Sequence, residues 1–303
     1  MASLKHTVTI LHRKNSQSHV FFLVVFLTLI FVASVALRYY VVEPIKMVNA
    51  SMAPRHKENS WLWMCKLPQY IDQVQKNETV WAEMRNQETL VRKVIAMPGD
   101  TLSISESGKV ISGKVISGKL KFRWKGENAF IESRNIYVPR QGDTLYFNKM
   151  NDVEQDYAIS LLHEQGIPFF IKTTLWQGDR EINVERIGST KLGNRQVSLQ
   201  EIDLLPWQDR FLIELQIRQS EPGNAPIKIK REIFNEDSTA MEKFIVEEDC
   251  YYLACERGNR CVDSRETGYF TKSRILGRYM PLPNKIKNAA VKKVRELIAP
   301  KKK

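Results

Sequence analysis

The sequence predicts a mostly β chain of antiparallel strands behind one N-terminal transmembrane helix, and three observations lead there. Val20 to Leu37 is an apolar run of eighteen residues in which only Thr28 and Ser34 are polar, long enough to cross a bilayer. In Leu90–Leu102 (LVRKVIAMPGDTL) an apolar stretch from Val94 to Met97 breaks at Pro98-Gly99-Asp100, and alternation resumes at Leu102 and Ile104; this is the pattern of a strand, a tight corner and a second strand. Period-two runs recur at Phe211, Ile213, Leu215 and Ile217, and a further strand pattern covers Ile227 to Ile233 beyond a turn at Pro222-Gly223.

Taken in order, the chain begins with Lys5, Arg13 and Lys14 ahead of the span and Arg38 with Tyr39-Tyr40 after it. The positive-inside rule puts residues 1–19 in the cytoplasm, makes 20–42 a signal anchor, and sends everything later to the outer side. Ala33-Ser34-Val35-Ala36 offers small residues of cleavage-site type, but the apolar run exceeds the usual core of a cleaved leader, so an anchor is the better reading. Residues 43–104 form the first part of the core. Within it Val41 to Val48 is extended, Val80 to Met84 is a strand, and Trp61-Leu62-Trp63-Met64 is a strand with apolar residues on both faces, suited to lipid contact or to a buried sheet.

Residues 105–240 read as a mostly β insertion with one or two helices. Gly108-Lys109-Val110-Ile111-Ser112 repeats as Gly113-Lys114-Val115-Ile116-Ser117, too few copies for a solenoid and suited to a hairpin or a local duplication. Ile136 to Pro139 and Gly142 to Phe147 read as two strands. Asp152 caps a helix to about Glu164 that presents Val153, Tyr157 and Leu161 on one face, and Ser198-Leu199-Gln200-Glu201 is a capping box opening a short helix before Pro206. Residues 241–283, with a strand at Cys250 to Ala254, complete the core. The tail, 284–303, is basic with interspersed apolar residues, either an amphipathic helix on anionic lipid or a solvated extension.

Composition narrows the partners. The 303 residues carry 46 Lys and Arg against 34 Asp and Glu, a formal net charge of +12. Much of the excess is C-terminal and no basic motif interleaved with aromatics accompanies it, so a membrane surface explains the charge and nucleic acid does not. Cys65, Cys250, Cys255 and Cys261 could pair in three ways in an oxidising compartment. The spacing Cys250-x4-Cys255-x5-Cys261 fits no standard zinc pattern, so neither a metal nor a cofactor is expected.

Asn49-Ala50-Ser51-Met52-Ala53-Pro54 just past the span, Pro98-Gly99-Asp100 after a basic pair, and Asp263-Ser264-Arg265 with Gly268 occur in that order. Together they resemble the type I signal peptidases, membrane-bound serine proteases with a Ser-Lys dyad. The resemblance implies a signal-peptidase-like antiparallel β core with an inserted second domain, a catalytic face resting on lipid, and removal of signal peptides from exported preproteins after small residues. It implies Ser51 as nucleophile, with Asn49 and the Ser51 N–H holding the oxyanion, and no cofactor. Signal peptides, membrane lipid and the secretion machinery are the implied partners, and a cytoplasmic (inner) membrane the implied location.

The departures concern the base. The family lysine lies six residues before the proline, where this chain has Arg92, with Lys93 next. A guanidinium cannot become neutral to accept a proton, whereas a lysine amine can. Lys93 therefore carries the chemistry, and it needs a bulge or a one-residue slip to share a face with Ser51. His56 is an alternative base on the nucleophile's own loop, while His163 has no flanking motif. In the last box Glu256 replaces an aspartate, Gly258 an arginine, and Cys261 the serine that orients the lysine. Two readings stand: a working peptidase using Ser51 and Lys93, and a catalytically impaired relative acting as a membrane-anchored binding scaffold in secretion.

Overall fold

The computed structural model describes residues 2–104, 134–182, 227–256 and 261–281, with short pieces between 189 and 214. The chain opens with α1 (Ala2–Tyr40), whose segment Val20–Tyr40 has a mean hydropathy of 3.0 and is exposed on every side. By length and composition that segment can cross a bilayer.

Strand β1 (Val42–Lys46) follows at once, then β2 (Trp61–Cys65), the short α2 (Pro68–Ile71), β3 (Thr79–Glu83), β4 (Thr89–Ala96) and β5 (Thr101–Ile104). After the segment 105–133 come β6 (Arg134–Tyr137), β7 (Thr144–Tyr146), α3 (Asp152–Glu164), β8 (Phe170–Gln177), β9 (Arg180–Ile182), β10 (Ser189–Leu192) and β11 (Arg195–Ser198). The last elements are β12 (Ile227–Phe234), β13 (Lys243–Ile245), β14 (Cys250–Ala254), α4 (Ser264–Thr267), β15 (Phe270–Thr271) and β16 (Ile275–Tyr279).

The main sheet has seven strands in the order β1-β2-β16-β3-β4-β14-β15, every neighbour antiparallel. Its two halves come from both ends of the chain, so β4 is flanked by β3 from its own neighbourhood and by β14 from far downstream. Alternation sorts the side chains. Val80, Ala82, Leu90, Val94, Tyr251, Leu253 and Ile275 pack in one buried cluster. Leu62, Met64 and Val91 join Met47 and Met52 in another. Trp61 and Trp63, on the outward face of β2, are 61% and 38% exposed, while Leu62 and Met64, which alternate with them, are buried.

A larger cluster unites Ile95, Ala96, Tyr252 and Ala254 of this sheet with Leu102, Ile136, Leu145, Phe244 and the inner face of α3, including Val153, Tyr157, Ala158, Leu161 and Leu162. Residues 134–162 thus pack directly on the sheet. A separate small cluster, Leu175, Val197, Ile202, Leu205 and Ile213, forms around the three-stranded sheet β12-β8-β9.

Several local expectations shift. The strands on either side of Pro98-Gly99-Asp100 do not pair with each other: β5 pairs with β6, and β7 with β13. Asn151, not Asp152, is the N-cap of α3; its Oδ1 accepts from the N–H groups of Val153 and Glu154, and the Glu154 carboxylate accepts from the Asn151 N–H in return. Ser198 is the last residue of β11, and Glu201 and Ile202, described just after it, are in a 3-10 turn. Ile213 and Glu214, within the strand expected over 211–217, are helical. The five-residue repeat, Gly258 and the basic tail lie outside the described residues.

Candidate active site

Ser51 lies in a 3-10 turn, Ala50–Met52, that follows β1. Asn49 caps the turn from extended backbone, its Oδ1 accepting the Ser51 N–H at 3.2 Å, which is the usual way a turn's first free donor is satisfied. That cap occupies the N–H expected to face an oxyanion, so of the pair expected to bind it the Asn49 amide retains its Nδ2 end as donor. Met52 is fully buried and shares a cluster with Val91. The turn therefore rests against the face of β4 that carries Val91 and, two residues on, Lys93.

The Ser51 hydroxyl is itself buried, and its Oγ has no hydrogen-bond partner. A buried hydroxyl without a partner is costly. It is also unencumbered for chemistry.

Arg92 and Lys93 project to opposite sides of β4. Arg92 is buried; its Nε and Nη2 donate to the Val262 carbonyl at 2.8 and 2.6 Å, and Nη1 donates to the Val91 carbonyl at 2.7 Å. Burial pulls its pKa down, and the nearby Asp263 carboxylate opposes that. These contacts brace the last box against β4. Lys93 lies opposite Thr79 on one side and Ala254 on the other. Its Nζ is 3.4 Å from Glu256 Oε1, and Arg55 Nε, on the loop just after Ser51, is 3.2 Å from the same oxygen. The register of β4 against β14 shifts between Lys93 and the Pro98 corner: Leu253 faces Val94 and Tyr252 faces Ala96, leaving Ile95 as the extra residue of a bulge.

His56 is buried with Nε2 3.0 Å from Thr79 Oγ1 and its ring edge-on to Tyr279 at 4.8 Å. Burial lowers its pKa, the Arg55 charge lowers it further, and Glu256 works in the opposite direction. A neutral imidazole held by Thr79, the cross-strand neighbour of Lys93, ties the nucleophile's loop to β3. His163, on α3, packs against the Phe169 ring.

The corner is fixed by its own residues. Gly99 has φ +84°, and its N–H donates to Val138. Asp100 Oδ2 accepts from the Met97 N–H at 3.1 Å and pairs with Lys76 at 3.5 Å, and the Pro98 carbonyl accepts from Arg140 Nε. In the last box Asp263 is fully buried and caps α4. Its carboxylate takes Arg265 Nε at 2.7 Å and Nη2 at 2.6 Å, and the Cys255 N–H at 3.1 Å. Burial pulls the Arg265 pKa down, but Asp263 outweighs it and the net shift is upward. Ser264 Oγ accepts the Leu253 N–H at 2.9 Å, locking α4 to β14.

Cys261 is disulfide-bonded to Cys255, and Cys65 and Cys250 are buried thiols. Cys261 thus takes no part in orienting Lys93; Glu256 contacts the amine instead. The trio Cys255, Cys261 and Asp263, the one metal-ligand grouping among the described residues, is accounted for by this disulfide and by Arg265. Glu256, Arg55 and Thr79 are the site residues that motif reading did not supply. Only Glu256 left a trace, as a carboxylate where the last box expects aspartate.

The family described as signal peptidase, peptidase S26, matches over residues 19–167, a stretch that holds the span, the Ser51 turn, β4 and the Pro98 corner. No curated protein matches the chain significantly. The fold and the matched stretch define a mostly β peptidase-type protein with one apolar N-terminal helix. Over that matched stretch the chain is a member of the signal peptidase family. The family is one of peptidase-type hydrolases, and it implies signal peptides as substrates.

Proposed function

We propose that this protein is a membrane-anchored serine endopeptidase that removes signal peptides from exported preproteins after small residues, with Ser51 as nucleophile and Lys93 as general base. The observation that carries this is the buried, unpartnered Ser51 Oγ on a turn packed against the Val91 and Lys93 face of β4. As Oγ attacks the scissile carbonyl, its proton passes to the neutral Lys93 amine and the carbonyl electrons move onto oxygen. The C–N bond then breaks as Lys93 returns the proton to the leaving amine, and water hydrolyses the acyl ester by the same route. Asn49 Nδ2 supports the oxyanion, joined by the Ser51 N–H once its cap to Asn49 Oδ1 opens. Arg92 braces Val262 and takes no proton. The span holds the site at the outer face of the cytoplasmic membrane, with the N-terminus inside, membrane lipid against the exposed Trp61 and Trp63, and the secretion machinery as a further partner.

One observation favours a second reading. Lys93 is paired with Glu256 and makes no hydrogen bond to Ser51, as expected of a non-catalytic scaffold that only binds signal peptides. The full chain in detergent, given a precursor with an Ala-x-Ala site, separates the two. Ser51→Ala and Lys93→Ala are expected to lower kcat by at least about 10³-fold, while Arg92→Ala lowers stability and leaves residual cleavage in the folded fraction. Cleavage surviving Ser51→Ala removes Ser51 as nucleophile, and binding of precursor with no turnover by wild type favours the scaffold.

A further inference from the structure

The residue that holds Lys93 is not one the reaction uses, and it is shared with the nucleophile's loop. Glu256 Oε1 lies 3.4 Å from Lys93 Nζ and 3.2 Å from Arg55 Nε. Both Lys93 and Glu256 side chains are largely covered, at 21% and 15% exposure, so the pair is screened less than a surface one. Arg55 is anchored independently, its Nη1 donating to the Asn77 carbonyl just before β3. Meanwhile the Ser51 Oγ, on the same loop as Arg55, has no partner.

We propose that Glu256 is a positioning residue that restrains the base, its carboxylate holding the Lys93 ammonium off the Ser51 hydroxyl until substrate loosens the grip. This rests on the assignment of Ser51 and Lys93 above. A general base must come within hydrogen-bond reach of the serine hydroxyl, and a side chain held in an ion pair with another residue does not. Arg55 works against the restraint. It competes for the same oxygen and draws the carboxylate towards the nucleophile's loop, so its removal leaves that oxygen to Lys93 among the described residues. Entry of a peptide beside Ser51 displaces the loop's side chains and loosens the pair.

Steady-state cleavage of the Ala-x-Ala precursor by the full chain in detergent tests this. Glu256→Gln is expected to raise kcat about fivefold, the scale on which losing one ion pair acts, with KM little changed. Glu256→Asp restores the slower wild-type turnover. Arg55→Ala lowers kcat, and the double variant Arg55→Ala with Glu256→Gln matches Glu256→Gln alone. A purely structural Glu256 would instead lower kcat with the melting temperature, and that outcome overturns the restraint. So does an effect confined to KM, or an Arg55→Ala loss that persists without Glu256. If wild type is silent, Glu256→Gln is expected to bring measurable cleavage, and silence in both is decisive against the idea. Lys93→Ala keeps the two proposals apart: turnover surviving it removes the dyad, whereas a dead Lys93→Ala beside an unimproved Glu256→Gln removes the restraint alone.

Discussion

Two adjacent basic residues, one on each face of β4, have different work because of what each face offers. Arg92 finds two backbone carbonyls and fills three donors with them; a planar fork is suited to that, and a lysine there would leave part of the acceptor surface unmet. Lys93 finds a carboxylate shared with Arg55. His56, beneath them, is neutral because burial and the Arg55 charge both disfavour the imidazolium. That has a consequence for stability. The unfolded chain takes up a proton at this histidine as pH falls through about 6.5, while the folded chain resists until lower pH, so between the two the unfolded state binds more protons and the native state loses ground. Melting temperature measured from pH 8 down to pH 5 is expected to drop in wild type below about 6.5 and to drop less in His56→Gln, which keeps an amide to meet Thr79 but does not titrate. Equal slopes for the two proteins would show that His56 is not the group responsible.

At the scale of elements, the corner Pro98-Gly99-Asp100 is the joint on which β4 and β5 turn into different sheets. Gly99 has φ +84°, and a Cβ built there would fall 1.9 Å from Arg140 Nε. The guanidinium can swing away, but the backbone angle still disfavours a side chain. Gly99→Ala is therefore expected to cost about 1–3 kcal/mol, read from denaturant midpoints at constant m-value, and a neutral result would mean that the corner relaxes freely. This joint was legible in sequence because Pro, Gly and Asp dictate local backbone. So were β2, β3, β12 and β14, whose apolar patterns are local too. What stayed hidden was pairing across distance: β5 with β6, β7 with β13, and Lys93 with Glu256 depend on which segments meet, and no local period encodes that. The cap of α3 slipped by one because Asn151 and Asp152 are both competent acceptors, and the Glu154 carboxylate reaches back to the Asn151 N–H. The period-two run around Ile213 misled because apolar Leu212 breaks the alternation, and a short, largely apolar run does not separate strand from helix.

The molecule as a whole is organised by α3, one face of which covers the main sheet while its Asp156 reaches the three-stranded sheet beyond. Asp156 Oδ1 accepts from Arg210 Nη2 at 2.7 Å and from Arg231 Nη1 on β12, two guanidiniums whose side chains are only 5% and 7% exposed. Arg210 also donates to the Leu205 carbonyl, so the carboxylate ties the small cluster of Leu175, Val197, Ile202, Leu205 and Ile213 to the helix that packs on the candidate active-site sheet. We place the separable part of the 105–240 insertion at this cluster. Residues 134–162 are too deeply shared with Ile95, Tyr252 and Tyr269 to come away. Replacing the carboxylate with a neutral amide sets two nearly buried like charges against each other, a change of the kind that costs about 3–5 kcal/mol when one partner of a buried pair is lost. Asp156→Asn should therefore loosen the outer module while the main sheet, held by its own clusters, stays closed. Hydrogen exchange resolves the two: faster exchange over 170–177 and 227–234 with unchanged protection over 89–96 and 250–254 is the expected result. Uniform acceleration across all four segments would mean that the chain unfolds as one body and has no separable module.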